Sequence, residues 1–139
     1  AVNLERAGDL VSKNLYALAL EMRDRDLRFS PEGLRELSNM HSRVLANMQL
    51  SMNVLVSGDV ESARELIAEK DLMRDLERES HTRHLERLTS RTPESLGSSN
   101  AHLEVMRSLK DINSLFAAVA VPILAGKGQL RETRLMPAE

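Results

Sequence analysis

Apolar residues recur three or four apart along nearly the whole chain, the spacing that gathers side chains on one face of an α-helix. The clearest stripe lies in Ser99 to Ala125, at Met106, Leu109, Ile112, Phe116, Val119 and Ile123. A first segment, Val2 to Arg25, carries Leu4, Ala7, Val11, Leu18 and Met22. A second, opening at Ser30-Pro31-Glu32, carries Leu34, Leu37, Val44, Met48 and Leu55, with His41 and Ser51 near the same stripe. A third, from Val60 to Thr89, carries Ala63, Leu66, Met73, Leu76 and Leu88 under a dense set of alternating charges. The pattern predicts an all-α fold, an antiparallel bundle of four long helices, each of roughly 24 to 30 residues and about 36 to 45 Å long. Leu37, Val44, Met48, Leu66, Met73, Leu76, Leu109, Ile112, Phe116 and Val119 are expected to be buried between them.

The punctuation agrees with this division. Ser30, Pro31 and Glu32 combine an N-cap, a proline at the first helical position and an acid in the first turn. Gly58 can take the left-handed conformation that closes a helix, and Asp59 can cap the next at once, so the second and third helices should reverse tightly. Thr92-Pro93-Glu94 repeats the cap signal, while Gly97 and Ser98-Ser99 predict a break before the fourth helix. Pro122 removes a backbone donor and should disturb the helix between Ala118 and Leu124. Gly8 weakens the first helix by roughly 1 kcal/mol relative to Ala, which predicts either a nearby helix end or a close neighbour. Residues 1–125 thus form the bundle and residues 126–139 are expected to be a flexible tail.

Composition narrows the function. The 139 residues suit one domain with a real core. A formal net charge of -2 and aromatics limited to Tyr16, Phe29 and Phe116 leave neither a basic footprint nor a stacking platform for nucleic acid. The absence of cysteine removes disulfides and thiolate chemistry. The longest apolar run, Leu115 to Ala125, is short of the ~20 residues of a membrane helix, so the segment is expected to be soluble, with no direct membrane insertion. A first residue other than Met and a helical opening suggest a piece of a larger protein.

Leu4-Glu5-Arg6-Ala7-Gly8-Asp9 resembles the LERIGD signature of the PhoU family, and the stretch Ala101 to Asn113 is similar to another helix of that family. Glu69 to Leu88 and Phe29-Ser30-Pro31-Glu32-Gly33 resemble the PhoU-like domain attached to bacterial sodium/phosphate cotransporters. The resemblance runs from Leu4 to Leu124. It implies an all-helical fold of two three-helix repeats, of which this chain would hold the last helix of the first and all of the second. It also implies a non-catalytic regulator of phosphate transport, needing no cofactor, on the cytoplasmic side of the inner membrane. Its partner would be the membrane-embedded transport domain, and the face left without the missing helix would favour self-association with a second copy, in a two-fold dimer.

Family members bind metal clusters through acidic pairs four residues apart, which lie on one helix face and offer oxygen ligands. Glu5 and Asp9 match that pair residue for residue. The equivalent positions of the second repeat are Lys110 and Ser114, and on the third helix Lys70 and Arg74, with Asp71 and Asp75 about 100° away round the helix. A structural role for Glu5 and Asp9 is therefore preferred to metal binding. None of His41, His81, His84 and His102 has Glu three residues before it, which excludes a bundle di-iron centre. His81 and His84, beside Arg78 and Arg83, are the nearest candidates for a phosphotransfer histidine, against the simpler reading of surface histidines. No glycine-rich phosphate loop is present. Two functions remain, a regulatory domain of a sodium/phosphate cotransporter and a generic four-helix scaffold or dimerisation module. With part of its repeat missing, the face around Leu10, Leu15 and Leu20 is expected to lack cover.

Overall fold

The computed structural model describes residues 2–88 and 93–126. The first rod is α1 (Val2–Asp9), a π-helical turn (Leu10–Leu15) and α2 (Tyr16–Asp24); α3 (Pro31–Ser57), α4 (Val60–Leu88), α5 (Pro93–Ala117) and α6 (Ala120–Gly126) follow. The four predicted helices are present as four helical rods. The expected tail beyond Gly126, the Thr92 cap and the side chain of Leu88 lie outside the described residues.

The caps predicted at Ser30, Gly58 and Asp59 form. The Ser30 hydroxyl accepts from the Gly33 N–H at 3.0 Å, with Pro31 opening α3. Gly58 closes it at φ 64°, its N–H donating to the Val54 carbonyl. The Asp59 carboxylate accepts from the Ser62 N–H at 2.8 Å and starts α4 without a loop. The first rod ends on a signal absent from the sequence reading: Asp26 takes φ 50°, and the Leu27 N–H reaches back to the Met22 carbonyl at 2.8 Å.

α5 is the central helix, packed by α3, α4 and the first rod. Facing pairs give the directions: Asn47 meets Asn113 and Gly33 meets His102, so α3 and α5 run parallel. Glu77 meets Lys110 and His84 meets Ser99, so α4 runs opposite to α5. Two apolar cores result. One gathers Ala7, Leu37, Met40, Val44, Met73, Met106, Leu109 and Ile112; the other, at the α3–α4 turn, gathers Val54, Ala63, Leu66, Ala120 and Leu124.

Several expectations are corrected. The buried face of α3 is Gly33, Leu37, Met40, Val44, Asn47, Ser51 and Val54, an unbroken alternation of three and four; Leu34 and Leu55 are exposed and Met48 is half-buried. Leu76, Phe116 and Val119 are also half-buried, at the margins of the cores. The break at Gly97 does not occur, because α5 runs through it: the glycine lets Leu27 pack close, and a Cβ there would stand 3.3 Å from the Leu27 Cδ2. The expected disturbance before Pro122 is present. The Val121 N–H donates to the Ala118 carbonyl, an acceptor that Pro122 cannot serve, and the helix resumes as α6.

The first rod follows neither a straight α-helical stripe nor the expected uncovered face. The Tyr16 N–H donates to the Val11 carbonyl, five residues back. Ala7, Leu10, Leu15, Leu18 and Met22 consequently face the bundle, a five-residue step separating Leu10 from Leu15. Leu10 and Leu15 pack against the core, and the large apolar side chains left exposed on this rod are Val2, Leu4, Val11 and Tyr16. Gly8 has open space beside it, one residue before the end of α1. By length and composition Leu96–Gly126 could cross a membrane; in this fold it is the helix around which the others pack.

Candidate functional site

The side chains that converge with the most chemistry do so where the start of α3 meets the end of α4 and the first half of α5. Glu36 is the hub. Its carboxylate faces the Arg83 guanidinium at 3.0 Å, the His102 Nε2 at 3.4 Å and the Ser80 hydroxyl at 3.5 Å. His84 Nδ1 is hydrogen-bonded to the Ser99 hydroxyl. Phe29 stands edge-on to the His102 ring, centroids 6.1 Å apart. These residues, with Gly33 and Ser98, line a cavity of about 40 Å3.

Local structure explains the convergence. Ser80 and His84 continue the inward stripe of α4 after Ala63, Leu66 and Met73, at steps of seven and four, and both are buried. Glu36 and Arg83 sit at the edges of their helices, which lets the guanidinium bridge α4 to α3 while part of it reaches solvent. His102 comes close to α3 because Gly33 has no side chain: a Cβ there would stand 3.2 Å from the His102 Cδ2. The reading of His84 as a surface histidine is thus overturned, whereas His41 and His81 are exposed. The signal was available in the periodicity, since extending the Leu66, Met73 stripe reaches Ser80 and then His84.

A second polar group lies between the two apolar cores. Asn47 donates to Asn113 Oδ1 at 2.9 Å and approaches Glu69, which pairs with Arg43 at 3.1 Å. It ties α3, α4 and α5 together.

Glu5 and Asp9 lie elsewhere, on the exposed side of α1. Asp9 pairs with Lys13 at 3.1 Å and lines an open groove of about 450 Å3 against α5, where Asp111 and Ser114 form the facing wall. Lys110 turns to Asp111 at 3.3 Å and to Glu77 at 4.0 Å. Asp71 is paired with Arg74. Among the described residues no three His, Asp or Glu side chains are placed to share a metal ion.

Residues 37–120 match the PhoU domain family. Over 136 residues the chain is 38% identical to YjbB of Salmonella typhimurium, a protein named for inorganic phosphate export; the match covers 95% of this chain and 24% of that protein. YjbB of Escherichia coli strain K12, named likewise, is 36% identical over 128 residues, covering 89% of this chain and 23% of the relative. The chain therefore spans about a quarter of the length of these relatives. No solved structure matches it.

Proposed function

The chain belongs to the PhoU domain family, and we propose that it acts in phosphate homeostasis as a non-catalytic regulatory domain of a sodium-dependent phosphate transporter. The observation that carries this reading is the match to relatives named for phosphate export, of which a chain of this length forms only a minor part. A helical domain that small within a much longer protein suits a module working on a separate transport domain, from the cytoplasmic side of the inner membrane.

The work of such a domain is to change the balance between two docking states. A ligand or partner shifts that balance only by binding the two states unequally. Apolar side chains left in solvent on two helices, Leu4, Val11 and Tyr16 on the first rod and Leu45, Met52 and Val56 on α3, offer surfaces for the transport domain or a second copy. The test is sodium-dependent phosphate flux in vesicles or cells carrying the full transporter with and without this segment. The expected result is a flux that no longer responds to phosphate status once the segment is removed. Identical flux and identical response would leave the segment as a helical scaffold.

A further inference from the structure

We propose that the cavity between α3, α4 and α5 binds a protonated tetrahedral oxyanion, orthophosphate, held by Arg83, His84, His102 and the cavity serines, with Glu36 accepting the anion's own O–H. The proposal rests on the phosphate reading above only for the identity of the anion.

Four observations support it. The walls are rich in donors, and they are kept inside: Ser80 and His84 occupy inward positions of α4 where the pattern of Leu66 and Met73 would place an apolar residue. The Arg83 Nε is buried with no hydrogen-bond partner, while the outer edge of the same guanidinium holds Glu36. A guanidinium with an unused N–H beside two imidazoles is a setting for an anion, and charge-assisted bonds to phosphate are among the stronger ones available. The start of α3 adds the positive end of its dipole at the same place, where Gly33 lets His102 come close.

The space also fits. Water takes at least about 10 to 15 Å3 by the measure that gives this cavity about 40 Å3, so the room suffices for a compact oxyanion and excludes a nucleotide or a sugar phosphate held entirely inside. Glu36 supplies the selectivity. A carboxylate repels a fully ionised anion such as sulfate, but accepts a hydrogen bond from phosphate, which keeps at least one proton near neutral pH.

The experiment titrates the full 139-residue chain with phosphate, and separately with sulfate at matched ionic strength, while the imidazole resonances of His84 and His102 are followed by NMR. Phosphate is expected to shift both saturably at or below about 20 mM, with sulfate at least about tenfold weaker. Arg83→Gln should weaken phosphate about tenfold or more, and Glu36→Gln should bring sulfate to within about threefold of phosphate. Arg64→Gln, on the outer face of α4, should change neither. No saturable shift, equal binding of the two anions by the unaltered chain, or an unaffected Arg83→Gln would overturn the site. Should either cavity variant lose its helical circular dichroism, the comparison of phosphate with sulfate in the unaltered chain decides alone. Phosphate binding by the chain with unaltered flux after its deletion would retain the site and remove the transport reading; the converse would remove the site only.

Discussion

Asn47 donates its side-chain amide to Asn113 across the middle of the bundle, and both residues are all but inaccessible to water. They stand on α3 and α5 between two apolar cores, so the pair fixes how far one helix is slid along the other. Removing one member strands the other: Asn47→Ala or Asn113→Ala should cost about 1–3 kcal/mol. Changing both to Leu should recover much of that loss, as the partnered polar groups leave together. Urea unfolding of the two single variants and the double variant checks this, and additive losses would show that the pair is not coupled.

Truncation should cost in proportion to enclosure. Leu66 is wholly enclosed between α3, α4 and α6, so Leu66→Ala should cost about 2–5 kcal/mol. Val11→Ala, on the uncovered side of the first rod, should stay within about 0.5 kcal/mol. Phe116→Ala should fall between them, since its ring is only half-buried. Melting temperatures of the three variants give the order directly.

Asp26 holds a left-handed backbone that costs a residue with a Cβ more than it costs glycine. Its ion pair with Arg28 is long and exposed and contributes little. Asp26→Gly should therefore stabilise the chain, by up to about 1 kcal/mol after the added freedom of the unfolded state is subtracted. A lower melting temperature in this variant would show that the side chain matters more than the turn.

The Asp59 cap sets a pH dependence with a definite sign. The backbone N–H of Ser62, and secondarily its hydroxyl, hold the Asp59 carboxyl below its ordinary value of 3.8. A carboxyl lowered by folding contributes stability that is fully present above 3.8 and is lost as pH falls through the lower folded value. Asp59→Asn keeps an acceptor without the charge. Its melting temperature should fall less steeply than that of the unaltered chain below pH 3.8, and parallel curves would contradict the assignment.

Metal removal should leave the fold as it is. Asp9 is engaged with Lys13, and Asp111 on the facing wall of its groove is engaged with Lys110. Treatment with a chelator is expected to leave helicity and melting temperature unchanged, with well under one metal equivalent in the purified protein. A stoichiometric ion on Glu5 and Asp9 would refute this.

The rods, the caps at Ser30, Gly58 and Asp59 and the disturbance before Pro122 were legible because each depends on local spacing or on residues with special backbone demands. The seam of α3 was less so. Its strict alternation includes Asn47 and Ser51, and a search for apolar residues passes over polar ones that face inward and drifts to Leu34 and Leu55. The cavity was hidden for a related reason. Glu36, Arg83, His84 and His102 are charged or polar residues on three helices that only packing brings together. Only His84 and Ser80 left a trace, by continuing the α4 stripe. Gly97 misled because flexibility and close approach demand the same residue, and here it serves close approach.

The π turn acts on the first rod as a frameshift acts on a reading frame. Each residue of an α-helix advances by about 100°, so one extra residue rotates everything beyond it relative to everything before. Deleting a single residue from Leu10–Leu15 would let the rod close into an uninterrupted α-helix with its two halves oriented as they are, whereas closing it with every residue kept would put Leu10 and Leu15 about 140° apart, unable to face the core together. The rod would have to surrender one half of its contact or the other. The wide turn thus lets one continuous helix present two halves of sequence, out of phase with each other, to the same neighbour.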